Sequence, residues 1–143
     1  MNTRTQAGSK LYQQLLTCGR GEWNSLTVVP ASPTESSAEV AAALVTVCEL
    51  VRGQLSRLFP LEGKELRAVS LALVDISQHV DSGGVAIVSV DSVLAKQTGV
   101  PVAIATDAAL LVVHLGVTRV EDAKRTVELV GAKKFIGAVV IEP

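Results

Sequence analysis

The stretch Leu26–Val45, LTVVPASPTESSAEVAAALV, decides how this chain is read. Leu26-Thr27-Val28-Val29 is a short apolar run rich in β-branched side chains, which predicts a buried strand. Pro30 and Pro33 stop it. Ser36 and Glu39 have the spacing of a capping box and place a helix start near Ser37. Val40, Leu44, Val47, Leu50 and Val51 then recur at helical spacing, with the helix ending near Gly53 or a few residues after. A strand, a tight Pro/Ser/Thr loop and a helix make the shape of a phosphate-binding loop. Yet residues 30–37 contain neither glycine nor lysine.

Working outward, Phe59-Pro60 reads as a chain break. Leu66, Val69, Leu73 and Ile76 predict a second helix over Lys64–His79, closed by Asp81-Ser82-Gly83-Gly84. Glu62-Gly63-Lys64 follows no predicted strand and reads as a solvated turn. Val85–Val90 predicts the second strand, with Asp91-Ser92 at its carboxyl end. Residues 93–106 read as a loop with one short helical turn. Ala109–Leu115 is the third strand and Gly116 its turn. Thr118 and Glu121 form a second capping box, opening a helix over Arg119–Val130 that Gly131 ends. Phe135–Ile141 is the fourth strand. On the amino side, Met1–Lys10 is polar and expected to fray. Leu11, Leu15 and Leu16 predict a short amphipathic helix ended by Gly19 and Gly21, and Trp23 reads as a core plug or interface anchor.

Near-continuous apolar strands alternating with helices predict an α/β three-layer sandwich with a mostly parallel sheet of about four to five strands. The 143 residues imply one domain, with residues 1–20 as a helical extension and 26–142 as the core. Hydrophobic residues are 48% of the chain but aromatics only 3%, so the core is aliphatic. That composition suits strands covered on both faces and argues against an aromatic platform for single-stranded nucleic acid. Thirteen basic and fourteen acidic residues leave a net charge of -1, with no basic footprint for nucleic acid or anionic lipid. Cys18 and Cys48 lack metal-ligand spacing and read as reduced, packed thiols, and the two histidines make a histidine metal site improbable. No apolar run reaches the roughly 18 residues of a membrane span, and no signal-peptide core opens the chain. A cytoplasmic domain is expected.

Three stretches resemble the deviant P-loop ATPases of the partitioning type, most closely the bacterial tyrosine-kinase branch that regulates exopolysaccharide chain length. The family's loop reads roughly S-x-x-P-G-E-G-K-S-T-x-A-A-N-L-A after a strand. Pro33-Thr34-Glu35-Ser36-Ser37-Ala38-Glu39-Val40-Ala41-Ala42-Ala43-Leu44-Val45 keeps its frame, its proline, its glutamate and its Ala-rich helix. Val85-Ala86-Ile87-Val88-Ser89-Val90-Asp91-Ser92-Val93-Leu94 is similar to the family's second strand. Thr106–Arg119, TDAALLVVHLGVTR, resembles the family's A-D-x-x-L-L-V-V-x-x-G-x-T-R, and Phe135–Val140 its I-G-x-V-L-N ending. The resemblance implies a truncated P-loop NTPase-like core.

It also implies that the catalytic groups are gone. The loop glycines correspond to Thr34 and Ser36, the phosphate lysine to Ser37, the metal-holding hydroxyl to Ala38 and its neighbour to Glu39. The Walker-B aspartate corresponds to Ser89, two residues before Asp91. The base-contacting asparagine corresponds to Glu142. No strand is read after the first helix, where the family has one; a sheet edge left bare there would favour a homodimer. Charge-assisted hydrogen bonds from the lysine, on the order of 1.5–3 kcal/mol each, are lost, and magnesium loses its ligands. No catalytic residue, metal or cofactor is therefore expected. The expectation is a non-catalytic ATPase-like scaffold in bacterial exopolysaccharide biosynthesis or export, with a protein partner: a membrane-embedded polysaccharide regulator or a true kinase. Thr118, Arg119 and Glu142 are the candidate binding residues. Two alternatives stay open: an ATP-binding regulator whose site is completed in trans, and a small-anion sensor at Ser36-Ser37. Asp91, Asp107 and Glu142 could gather as a carboxylate cluster; read singly, Asp91 caps a turn, Asp107 precedes a strand and Glu142 is solvated. His114 reads as a hydrogen-bonded strand residue and His79 as a helix C-terminal cation. Arg119, Lys124, Arg125, Lys133 and Lys134, interspersed with Glu121, Asp122 and Glu128, read as a mixed solvated face.

Overall fold

The computed structural model describes residues 3–143, with side chains from residue 10 onward. The chain runs α1 (Thr3–Gly19), β1 (Ser25–Pro30), α2 (Ala38–Arg52), β2 (Ser56–Pro60), α3 (Leu66–Asp81), β3 (Val85–Ser89), α4 (Gly99–Ala105), β4 (Ala108–His114), α5 (Val120–Val130), a 3-10 turn (Ala132–Lys134) and β5 (Phe135–Ile141). The strands form one parallel sheet in the order β2-β3-β1-β4-β5. The α/β sandwich expected from the sequence is therefore what the chain forms.

The strand said to be missing is present. Ser56–Pro60 follows α2 directly and pairs with β3 from Ser56↔Val85 to Pro60↔Ser89. It is an edge strand, so it needs no continuous apolar run, and Pro60 is tolerated there. Ser56 and Phe59 are buried, Leu58 is half-buried and Arg57 and Pro60 are exposed, and the Arg57 guanidinium lies 4.6 Å from the Phe59 ring centroid. Phe59-Pro60 ends a strand rather than breaking the chain. The sheet edge on this side is therefore β2 rather than β3.

Right-handed crossovers explain the layers. From β1 the chain moves outward to β2 through α2, then turns back through α3, α4 and α5 toward β5. One face of the sheet is covered by α1 and α2, with Leu15, Cys18, Trp23, Val40, Leu44, Val47 and Cys48 packed on Leu26, Val28, Ile87 and Leu110. The other face carries Val69, Ile76, Val102 and Val130 on Val29, Ala86, Val88 and Ala109. The two faces of β1 thus alternate along the strand, as a period of two demands.

Helix α1 begins at Thr3, so the expected fraying of residues 1–10 does not extend over residues 3–10; Met1 and Asn2 lie outside the described residues. Residues 99–105, read as loop with a helical turn, form α4. Pro101 sits in its first turn, where a missing N–H costs nothing.

Both cysteines are buried free thiols between α1 and α2. Burial first, then the neighbouring Cys48, pushes the Cys18 thiol from its ordinary 9.0 up to about 12, against a smaller opposing pull from Arg52. Burial likewise raises Cys48. The folded state keeps these protons to higher pH than the unfolded chain does, so stability is undiminished below pH 9 and falls as pH rises from 9 toward 12. A thiol reagent at pH 8 is expected to label neither cysteine in the native protein and both in denaturant; rapid native labelling would contradict this packing.

Candidate functional site

The connections leaving β1 and its two neighbours go to opposite faces of the sheet. That reversal is a topological switch point, and in sheets of this kind ligands bind outside the carboxyl ends of the strands there. The residues the sequence singled out lie around it: Ser32 to Glu39 after β1, Ser89 and Asp91 after β3, and Thr118 after β4.

The Pro30–Ser37 loop spends its polar groups on itself. The Ser32 and Thr34 hydroxyls are 3.1 Å apart, and the Thr34 N–H donates to Ser32 Oγ. Ser36 Oγ accepts the Ala38 N–H at 3.1 Å, taking one of the donors an anion would use. Ser37 is fully buried, and its hydroxyl donates to the Val28 carbonyl at 3.0 Å. Its side chain points into the sheet. Ser37 is the N-cap residue but makes no side-chain cap. The capping box expected from Ser36 and Glu39 is replaced by the Ser36–Ala38 turn. Among the described residues every positive φ belongs to glycine, and this loop has none. Its backbone therefore lacks the left-handed turns that let N–H groups converge on a phosphate.

The β3 side is equally committed. Ser89, at the Walker-B position, donates its hydroxyl to Glu62 Oε1 at 2.8 Å. Asp91 Oδ2 accepts the Gly63 N–H at 2.7 Å, and Lys96 Nζ donates to the Lys64 carbonyl at 2.8 Å. Glu62-Gly63-Lys64 is thus not a free solvated turn. It follows β2 and is stitched across the sheet edge to β3. Glu62 is the residue that sequence reasoning missed: the β2–β3 register sets Pro60 beside Ser89 and so delivers a carboxylate there. Its Oε2 is buried without a partner among the described residues.

On the β4 side, Thr118 Oγ1 accepts the His114 N–H at 2.9 Å. The N-cap of α5 is Arg119, without a side-chain cap, so the Thr118–Glu121 capping box is not formed. His114 Nε2 lies 3.9 Å from Glu35 Oε2, joining the strand end to the loop. Arg119 stands on an exposed apolar rim of Leu115, Val117 and Val120. Glu142, at the far edge, is 3.5 Å from Lys10 Nζ.

The carboxylate cluster is not assembled. Asp91 belongs to the carboxyl edge of the sheet. Asp107 precedes β4 at the opposite edge, where its Oδ2 accepts the N–H groups of Asn24 at 2.8 Å and Ser25 at 3.2 Å. No group of three or more metal-ligating side chains occurs among the described residues, and no helix among them is long and apolar enough to cross a membrane.

The carboxyl edge therefore offers carboxylates from Glu35, Glu39, Glu62 and Asp91, and hydroxyls already bonded within the protein. Negative charge at such an edge disfavours a polyphosphate. No family model, characterised protein or solved structure matches this chain.

Proposed function

We propose that this chain is a non-catalytic, ATPase-like binding module that works as a scaffold or regulator. The observation that carries the reading is Ser37. At the position of a phosphate lysine stands a short, buried side chain turned inward onto Val28. The glycine-free loop before it and the Glu62 carboxylate on Ser89 support the same reading. The resemblance over residues 26–142 suggests a place in bacterial exopolysaccharide biosynthesis or export, with a membrane-embedded polysaccharide regulator or a true kinase as partner. The exposed Leu115, Val117 and Val120, close in sequence to the exposed Arg119, give such a partner apolar contacts beside a charge. The anion-sensor alternative loses support, because the Ser36 and Ser37 hydroxyls already have partners.

Turnover of ATP with magnesium tests the reading. Phosphate release and self-phosphorylation are expected to equal those of buffer alone. Hydrolysis that co-purifies with the folded chain and vanishes on its denaturation would overturn it.

A further inference from the structure

Strand β5 forms one edge of the sheet and β2 the other. In a parallel ladder, alternate residues turn both their N–H and C=O to the same side. Ile141 faces β4, since its carbonyl accepts the Leu115 N–H at 2.9 Å. Val140 faces away. Its outward groups are both held by the side chain of Gln14 in α1: the Val140 N–H donates to Gln14 Oε1 at 2.8 Å, and Gln14 Nε2 donates to the Val140 carbonyl at 3.3 Å. One carboxamide thus plays the part of a peptide group in a neighbouring strand. Two residues earlier, Ala138 turns its backbone outward by the same alternation.

The sequence of this edge is unusual for one that stays unpaired. Phe135–Ile141 has no charge and no proline, two of the usual guards of an edge strand, and its one irregularity is a register shift against β4 around Ile136. Ile136 is 48% exposed and Val140 38%. The charges stand at the ends and differ in sign: Lys133 and Lys134 before the strand, Glu142 after it. Set antiparallel to itself about Ala138, the segment places Phe135 opposite Ile141, Ile136 opposite Val140 and Lys134 opposite Glu142, each pair occurring twice. A parallel copy would instead bring like charges together.

We propose that β5 is a homodimerisation edge, at which the β5 of a second copy adds antiparallel about a two-fold axis through Ala138 and displaces the Gln14 carboxamide from Val140. The two sheets become one continuous sheet, and Gln14 acts as an intramolecular strand mimic that sets the monomer–dimer balance. Its bonds to Val140 are solvent-exposed, and the Lys10–Glu142 pair beside them is long and exposed. Both are weak enough to exchange for intermolecular equivalents. The interface is isologous and closed, which limits assembly to a dimer.

Sedimentation velocity on the full chain, from about 1 to about 100 µM, tests this. Gln14→Ala is expected to lower the concentration at which dimers form by about fivefold or more, since one competitor for Val140 is gone. Ala138→Pro in that background is expected to abolish the dimer while leaving the circular dichroism unchanged, because the lost N–H points away from β4. Lys134→Glu is expected to weaken association about tenfold, and Lys134→Glu with Glu142→Lys to restore it. The charge swap also decides the matter should Ala138→Pro fail to fold. A monomer throughout the range for both the wild-type chain and Gln14→Ala would overturn the proposal. So would a dimer indifferent to the charge reversal or, with the fold intact, to Ala138→Pro.

Discussion

Replacing Arg52 by alanine is expected to lower the stability of this protein by about 2–4 kcal/mol and its melting temperature by roughly 10 °C. Arg52 ends α2, and its guanidinium gathers the turn between α1 and β1. Its Nε donates to the Gly19 carbonyl at 2.7 Å, and its two terminal nitrogens donate to the carbonyls of Trp23 and Gly21. The same group lies 4.2 Å from the Trp23 ring centroid. Trp23 is buried and returns its own Nε1–H to the Cys18 carbonyl at 3.1 Å. Alanine would leave three carbonyls without this donor and loosen α1 from α2. Hydrogen bonds to a charged group are worth about 1.5–3 kcal/mol each, but the site is only partly buried, so the sum is discounted for solvent. Arg52→Lys is expected to recover less than half, because an ammonium cannot fork to three acceptors or stack on the ring. A melting temperature within about 2 °C of wild type for Arg52→Ala would show that the clamp is not needed.

The second large effect concerns Ser37. If the loop were a phosphate loop lacking only its lysine, Ser37→Lys would restore charge and nucleotide affinity. The geometry says otherwise. Ser37 is fully buried against β1 with its hydroxyl on Val28. A lysine there enters the apolar layer of Val28, Val40 and Leu44 without a counter-ion. The expected cost is roughly 3–5 kcal/mol, the range for an uncompensated buried charge. Ser37→Ala, which forfeits one neutral hydrogen bond, is expected to cost about 1 kcal/mol. Denaturant unfolding of both variants measures the contrast. A Ser37→Lys protein as stable as wild type and able to bind ATP would mean that the loop remains a working cradle.

Much of the fold was legible because the central strands are buried on both faces. Leu26–Val29, Val85–Ser89 and Ala109–Val112 are apolar runs without interruption, apart from Thr27 and Ser89, and a single sequence displays that directly. Strand β2 was not legible. This edge strand fully buries only Ser56 and Phe59, and Ser56-Arg57-Leu58-Phe59-Pro60 carries a cation and a proline that resemble a loop. Missing β2 hid Glu62 as well, since only the pairing of Pro60 with Ser89 brings that carboxylate to β3. The capping boxes failed for a different reason. Spacing fixes which residues could cap a helix, but Ser36 accepts the Ala38 N–H two residues on and Thr118 accepts the N–H of His114 on β4. Gln14 carries no sequence signal at all. It matters because α1 lies along β5, a placement that only the fold supplies.

On the reading proposed above, the Pro30–Ser37 loop has no affinity for nucleotide. Calorimetric titration of the full chain with ATP and magnesium tests it most directly. The account predicts no measurable binding heat, with any dissociation constant weaker than about 1 mM. A saturable isotherm with a dissociation constant tighter than about 100 µM would contradict it.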